Sequence, residues 1–180
     1  MQLPLPIGPR SLTAAVLVSV GLLLVHTGAS PAATRLTVRR SDAPALLETM
    51  DRFRAQLGLS QLRPSVALER AAMAHDLDMA RFGFFGHSSH GGSSFWQRVE
   101  RWYPQRGQGW TVGENLLAAS PDISVASTFA HWLASPEHHA VLVDPSWVSV
   151  GIAVIHVSHA LGIYDGQPTT LVTADFGRPR

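Results

Sequence analysis

The sequence predicts an α+β domain in which helices pack on an antiparallel sheet. One observation is that apolar residues recur at helical spacing over residues 44–57, which predicts a helix with one apolar face. Another is a pair of β-branched, apolar stretches, 148–157 and 169–176, which flank the turn-forming dipeptide Asp165-Gly166. Because the helical patterns come first and the strands last, an α+β fold is favoured over an alternating α/β fold.

The composition narrows the class of protein. The chain has 180 residues, of which 46% are hydrophobic and 15% charged, as in a globular domain rather than a disordered segment. Its formal net charge of +1 gives no electrostatic footprint for nucleic acid. It has no cysteine, which excludes disulfides, thiolate nucleophiles and zinc–thiolate sites.

Residues 1–32 are predicted to be a signal peptide. Arg10 precedes an apolar run over residues 12–25, and small residues then offer cleavage after Ala29 or Ala32. The run is short for a membrane span, so we expect a secreted chain with no integral span after cleavage; an uncleaved anchor is the alternative. Residues 33–41 are predicted to be a linker and 42–178 the folded domain.

Four helices are predicted within the domain after the first one. Ser65 is expected to cap a helix that ends at Phe82, with His75 on its apolar face as a core residue. A short helix is expected over residues 95–103, and another is expected to open at Ser120-Pro121-Asp122 and run to residue 134. The fourth helix is expected to follow Ser135.

That serine, Ser135, begins the stretch that carries the clearest local signal. Ser135 is a suitable N-cap and Pro136 suits the first helical position, which places His138 in the first turn of a short helix. A helix N-terminus disfavours a protonated imidazole, so we expect His138 to be neutral and able to bind a metal or act as a base. The alternative is a solvated histidine.

Four histidines and one glutamate are the candidates for metal binding or acid–base catalysis. They are His87, His90, Glu114, His138 and His139. Two histidines and a carboxylate can bind a divalent cation, or provide a base and the carboxylate that orients it. No HExxH motif, G-x-S-x-G elbow, P-loop or GxGxxG fingerprint is present, so spacing alone gives a weak signal.

A second cluster interleaves aromatic and basic residues. The aromatic residues are Trp96, Trp102, Tyr103 and Trp110, and the basic residues are Arg98, Arg101 and Arg106. Such a cluster can stack on sugars, lipids or aromatic ligands. The favoured alternative is that the tryptophans belong to the core and the arginines are solvated.

Five motifs in order resemble the CAP superfamily, or SCP domain, which includes cysteine-rich secretory, antigen-5 and pathogenesis-related proteins. They are AMAHDLDMA (72–80), FFGHSS (84–89), GENL (113–116), WLASPEHHAVL (132–142) and VGIAV (150–154). The resemblance covers residues 42–177. Because the chain has no cysteine, it is most similar to the secreted bacterial members of the family.

The resemblance implies an α-β-α sandwich with a central antiparallel sheet flanked by helices. It also implies a cleft in which His87, Glu114 and His138 hold a divalent cation such as zinc. The chain departs from the family pattern at Ser135, where many members carry a second glutamate, and at His139 and Val141. The expected ligand set is therefore a trio.

The first expectation for function is a secreted, non-enzymatic binding module whose cleft holds a cation and a lipid, sterol or cell-envelope ligand. The second is a metal-assisted or His/Glu-based extracellular hydrolase in which Glu114, His87 and His138 are the catalytic candidates. The third is a structural or interaction domain in which the trio is a buried hydrogen-bond network.

Overall fold

The computed structural model describes residues 35–39, 41–106 and 109–178. The predicted signal peptide, 1–32, lies outside the described residues. The helices are α1 (Asp42–Gln56), α2 (Val66–Phe82), α3 (Phe95–Glu100), α4 (Val125–Ala134) and α5 (Pro136–Val143). The strands are β1 (Leu36–Val38), β2 (Arg63–Pro64), β3 (Thr111–Ala119), β4 (Ser149–Val157) and β5 (Thr169–Arg178).

The strands form one five-stranded sheet in the order β1-β4-β5-β3, with the short β2 beside β4. All neighbours in this order are antiparallel, and only the two-residue β2–β4 pairing is parallel. The two strands predicted near the C-terminal end are thus confirmed as β4 and β5. The predicted turn residues Asp165 and Gly166 both take positive φ, 52° and 71°, after a short 3-10 turn at Gly162–Tyr164.

Helices cover both faces of the sheet, as the predicted α-β-α sandwich requires. Alternate residues of a strand point to opposite faces. On one face, α1, α4 and α5 pack against a core that includes Trp132, Ile152 and Phe176. On the other face, α2 and α3 pack against residues of the opposite parity, such as Ile155 and Leu171.

The approach of α2 to the sheet is close because β4 has a glycine under the helix. A Cβ on Gly151 would lie 1.9 Å from the backbone nitrogen of Glu69 and 2.1 Å from the carbonyl carbon of Leu68. The helix then ends at Gly83, which takes the left-handed conformation (φ 65°) as its C-cap. This junction directs the chain into the loop that carries His87.

Three features differ from the sequence predictions. The prediction contained no strand over 111–119, where β3 lies. Leu36–Val38, part of the predicted linker, pairs with β4 as β1. The helix expected to open at Ser120 begins instead at Val125 with Ser124 as its N-cap.

Asp122 explains why α4 begins late. Its side chain accepts from Thr170 Oγ1 on β5 at 2.7 Å and from Nη2 of Arg39, which follows β1, at 2.6 Å. Asp122 therefore links β5 to the segment after β1 and does not cap a helix. The hydroxyl of Ser124 accepts from the Ser127 backbone N–H at 3.1 Å.

No helix in the described part of the chain is long and apolar enough to cross a membrane.

Candidate functional site

A buried carboxylate lies at the centre of the site. Glu114, on β3, points to the face covered by α2 and α3 and is 5% exposed. Its Oε2 accepts from Arg98 Nη2, and its Oε1 accepts from His87 Nδ1 at 2.8 Å. Since a carboxylate only accepts, the Nδ1 of His87 must carry the proton. Both oxygens of Glu114 are therefore bound by basic side chains.

Arg98 connects the other two members of this cluster. It is buried on α3, and its Nη1 donates to the backbone carbonyl of His87 at 2.9 Å. The prediction that Arg98 is solvated is wrong, because its guanidinium neutralises Glu114 inside the protein. Its Nε is also buried and has no acceptor among the described residues.

His87 is the exposed member of the cluster. Its side chain is 56% exposed, whereas that of Glu114 is 1% exposed. The hydrogen bond to Glu114 raises the pKa of His87, which partial burial opposes. With Nδ1 bound to Glu114, Nε2 is the ring nitrogen left for an external partner. A buried ion pair thus holds an imidazole at the surface in one orientation.

His138 lies near this cluster but takes no part in its hydrogen bonds. Ser135 caps α5 as predicted, with its Oγ accepting from the His138 N–H at 3.5 Å. The carbonyl of His138 accepts from Asn115 Nδ2 at 3.1 Å, which ties α5 to the strand that carries Glu114. Burial, and next the charge of His87, lowers the pKa of His138. This is the direction that the sequence predicts, although burial comes first among its causes and the helix N-terminus is not one of them.

The remaining histidine candidates lie outside the cluster. His90 stacks on Phe82, with ring centroids 4.0 Å apart, and His139 lies edge-on to Phe53 at 6.1 Å. His75 is a core residue, as predicted: it is fully buried and donates from Nε2 to the Gly86 carbonyl at 2.8 Å. Burial lowers the pKa of His75.

Two buried aspartates extend the polar cluster beneath Glu114. Asp175 lies directly opposite Glu114 in the β3–β5 pairing, and burial followed by the charge of Glu114 raises its pKa well above the usual range. Asp76, on α2, accepts from Thr173 Oγ1 at 2.5 Å, and burial raises its pKa in the same way. Sequence reasoning missed both residues.

One pattern in the sequence indicates the burial of Arg98. It lies next to Val99 and three residues after Phe95, on the side of α3 that carries these apolar residues. No comparable pattern marks Asp175, because its burial depends on helices from distant parts of the chain.

The geometry of the trio does not fit a resident metal ion. Each oxygen of Glu114 already accepts from a basic side chain, and a cation bound there would be repelled by the buried positive charge of Arg98. In the ranges that the structure describes, no three His, Cys, Asp or Glu side chains are grouped to hold a metal.

Two cavities lie beside α2 rather than at the trio. The apolar cavity, of about 570 Å³, lies between α2, β4 and the end of β1, and its lining includes Met73, Leu77 and Val154. The polar cavity, of about 540 Å³, lies between α2, α3 and the loop before α3. Ala74 and Trp102 border both cavities.

Comparisons with known proteins were made against families, curated proteins and solved structures. A family model described as "Cysteine-rich secretory protein family" (CAP) matches residues 47–172. No curated protein matches. An outer surface protein of Borrelia burgdorferi is 18% identical with a TM-score of 0.67, and the match covers 82% of this chain and 100% of that one.

Two further solved structures are similar. An extracellular protein of Bacillus anthracis that contains an SCP domain is 22% identical, with a TM-score of 0.59 over 76% of this chain and 40% of that chain. A cysteine-rich secretory protein of Staphylococcus aureus is 14% identical, with a TM-score of 0.55 over 76% of this chain and 38% of that one. At these identities the structures show a common fold.

Proposed function

The chain belongs to the cysteine-rich secretory protein (CAP) family, and we propose that it is a non-enzymatic, extracytoplasmic binding module. The apolar segment at residues 12–25 supports export. The names of two similar structures, an outer surface protein and an extracellular protein, support the same location.

The observation that carries this proposal is the position of Glu114 between Arg98 and His87. A general base must reach its target, but the side chain of Glu114 is 1% exposed and each of its oxygens already accepts from a basic group. The cluster therefore fixes an exposed imidazole, as a recognition group requires. A raised pKa favours the imidazolium form, which donates from Nε2 to an anionic or polar group of a ligand.

The proposed ligand is a lipid, a sterol or another component of the cell envelope. The apolar cavity beside α2 supports this class, because its volume of about 570 Å³ lies in the range of small-molecule sites. The geometry gives no support to a resident cation, so the proposal does not include one.

Sedimentation with phosphatidylglycerol vesicles, with and without sterol, tests the proposal. We expect the wild-type chain to bind and His87→Ala to bind about tenfold more weakly, since one charge-assisted hydrogen bond contributes about 1.5 kcal/mol. His131→Ala is the matched control, because His131 is exposed on α4 and outside the cluster. Absence of binding, or equal losses in both variants, would contradict the proposal.

One observation favours hydrolysis as a second candidate. A carboxylate that accepts from imidazole Nδ1 is the arrangement that orients a general-base histidine. His87 Nε2 would then take a proton from water, with Glu114 orienting the ring and His138 nearby. Turnover of an ester substrate that Glu114→Gln reduces at least about 100-fold without loss of folding would establish this candidate. Unchanged turnover in that variant would remove it.

A further inference from the structure

We propose that the polar cavity is a binding site for an acidic saccharide. It lies between α2, α3 and the loop 88–93, and none of His87, Glu114 and His138 lines it. Arg98 is the residue that this cavity shares with the His87 cluster, where its Nη1 and Nη2 are already bound. The proposal depends on Arg101 and Trp102, which lie outside that cluster, so it stands whether or not His87 binds a ligand.

The lining of the polar cavity combines one aromatic face with several polar groups. Its residues are Ala74, Asp78, Ser89, Gly91, Ser93, Arg98, Arg101 and Trp102. Sugars present an apolar C–H face on one side of the ring and hydroxyl groups around its edge. An indole beside serine hydroxyls and guanidinium groups complements both features.

The tryptophans divide into two classes, which makes Trp102 notable. Trp110, Trp132 and Trp147 each donate their indole N–H to a backbone carbonyl, at 3.1, 3.1 and 2.8 Å. Trp96 and Trp102 are 45% and 43% exposed, and neither indole N–H has an acceptor among the described residues. Only Trp102 of these two borders a cavity described above.

The charge of the lining selects an acidic ligand. Arg101 is exposed, and no Asp or Glu of the described ranges forms an ion pair with it. Arg98, on the inner wall, is buried and its charge is paired with Glu114, so it offers only an Nε–H that lacks an acceptor. The one carboxylate of the lining, Asp78, already accepts from the His90 N–H at 2.9 Å. A sugar carboxylate is the group that a free guanidinium binds in bidentate geometry.

The loop that forms one wall is held in place before any ligand arrives. Ser89 N–H donates to the Ser93 carbonyl and Gly92 N–H to the Ser89 carbonyl, both at 2.9 Å. The His90 backbone is bound to Asp78, and its ring stacks on Phe82 with an interplanar angle of 7°. Pre-organisation of this kind reduces the entropy lost on binding.

Titration of the purified, ¹⁵N-labelled chain with cellobiouronic acid tests the proposal, with neutral cellobiose as the paired ligand. We expect the acid to shift the Trp102 indole N–H resonance and to bind at least about tenfold more tightly than cellobiose, the ratio that about 1.4 kcal/mol provides. Trp102→Ala and Arg101→Gln should each weaken binding at least tenfold.

Matched variants separate this site from its neighbours. Trp96→Ala and Arg106→Gln remove an equally exposed indole and another exposed arginine outside the cavity, and should leave the affinity within twofold. Met73→Gln alters the apolar cavity alone and should also leave it unchanged. No shift at millimolar acid, equal binding of the two sugars, or an equal loss in Trp96→Ala would overturn the proposal.

Discussion

Asp175 is a buried carboxyl group that lies beside Glu114 in the polar cluster. It lies between β3 and β4, opposite Glu114 on one side and Gly151 on the other. Burial and the nearby negative charge raise its pKa well above the usual range, which favours its neutral form in the folded protein. A second negative charge beside Glu114 is thereby avoided.

We expect Asp175→Asn to stabilise the protein at pH 7. In the unfolded chain Asp175 ionises above about pH 3.9, so folding at higher pH must take up a proton. This requirement costs about 1.4 kcal/mol for every pH unit between about 3.9 and the native pKa, and asparagine removes it. Stability lost by wild type as pH rises through this window should therefore be retained by the variant.

Urea unfolding at several pH values measures this difference, which should shrink as the pH falls toward 4. Asp165→Asn, at an exposed turn residue, is the control and should not alter the pH dependence. A variant that is less stable than wild type by the same amount at every pH would show that Asp175 is ionised.

The sequence predicts His87 and Glu114 as members of the cluster, but not Arg98, Asp76 or Asp175. His87 and Glu114 do come together, as expected, and Ser135 caps the helix that carries His138. The sequence favours solvated side chains for Arg98, Arg101 and Arg106 together, and this is wrong for Arg98. Its position beside Val99 indicates burial, but its partner Glu114 on β3 is distant in sequence and no local pattern identifies it.

At the scale of elements, the contact between α2 and β4 positions the site. The loop with His87 leaves the C-terminal end of α2, and Glu114 reaches the same layer from β3. The distance between helix and sheet is set by Gly151, where backbone lies against backbone. The position of α2 therefore controls the geometry of the cluster above it.

Gly151→Ala should destabilise the domain by at least about 3 kcal/mol, since backbone atoms cannot yield to a methyl group as a side chain can. Gly91→Ala is the control, because its Cβ would meet no atom within 4 Å; we expect a change within about 0.5 kcal/mol. Thermal or urea unfolding of both variants checks this. Equal stabilities would show that α2 can move away from the sheet at little cost.

The strands that the sequence predicts have a recognisable pattern within a short stretch of residues, whereas the strand that was missed does not. β4 and β5 are continuous apolar strands, which a window of ten residues reveals. β3 contains Gly113, Glu114 and Asn115 in sequence, a polar stretch that resembles a loop. It forms a strand because nine of its residues pair with β5, and its buried polar side chains find partners on α3 and α5.

For the whole molecule, the arrangement of charges predicts independence from metal. An ion bound only to the folded state raises the unfolding temperature by mass action. Because Arg98 and His87 occupy the oxygens of Glu114, we expect neither zinc nor EDTA to change the midpoint of thermal unfolding of the purified chain by more than about 1 °C.

The control is a chain with His87→Ala, Glu114→Ala and His138→Ala together, melted under the same conditions. A zinc-dependent rise in wild type that this triple variant lacks would contradict the expectation. It would show that the cluster rearranges to admit a cation.

β5 is the last strand in chain order, yet it lies between β3 and β4 and pairs with both along their length. During synthesis, a nascent chain that has emerged only to residue 168 contains both neighbours but not the strand that joins them. The pairings that join β3 to β4 through β5 can therefore be completed only after translation of residue 178, and this non-local pairing begins late. Until then β3 and β4 expose open edges, which are the surfaces that a chaperone must cover to prevent association between chains.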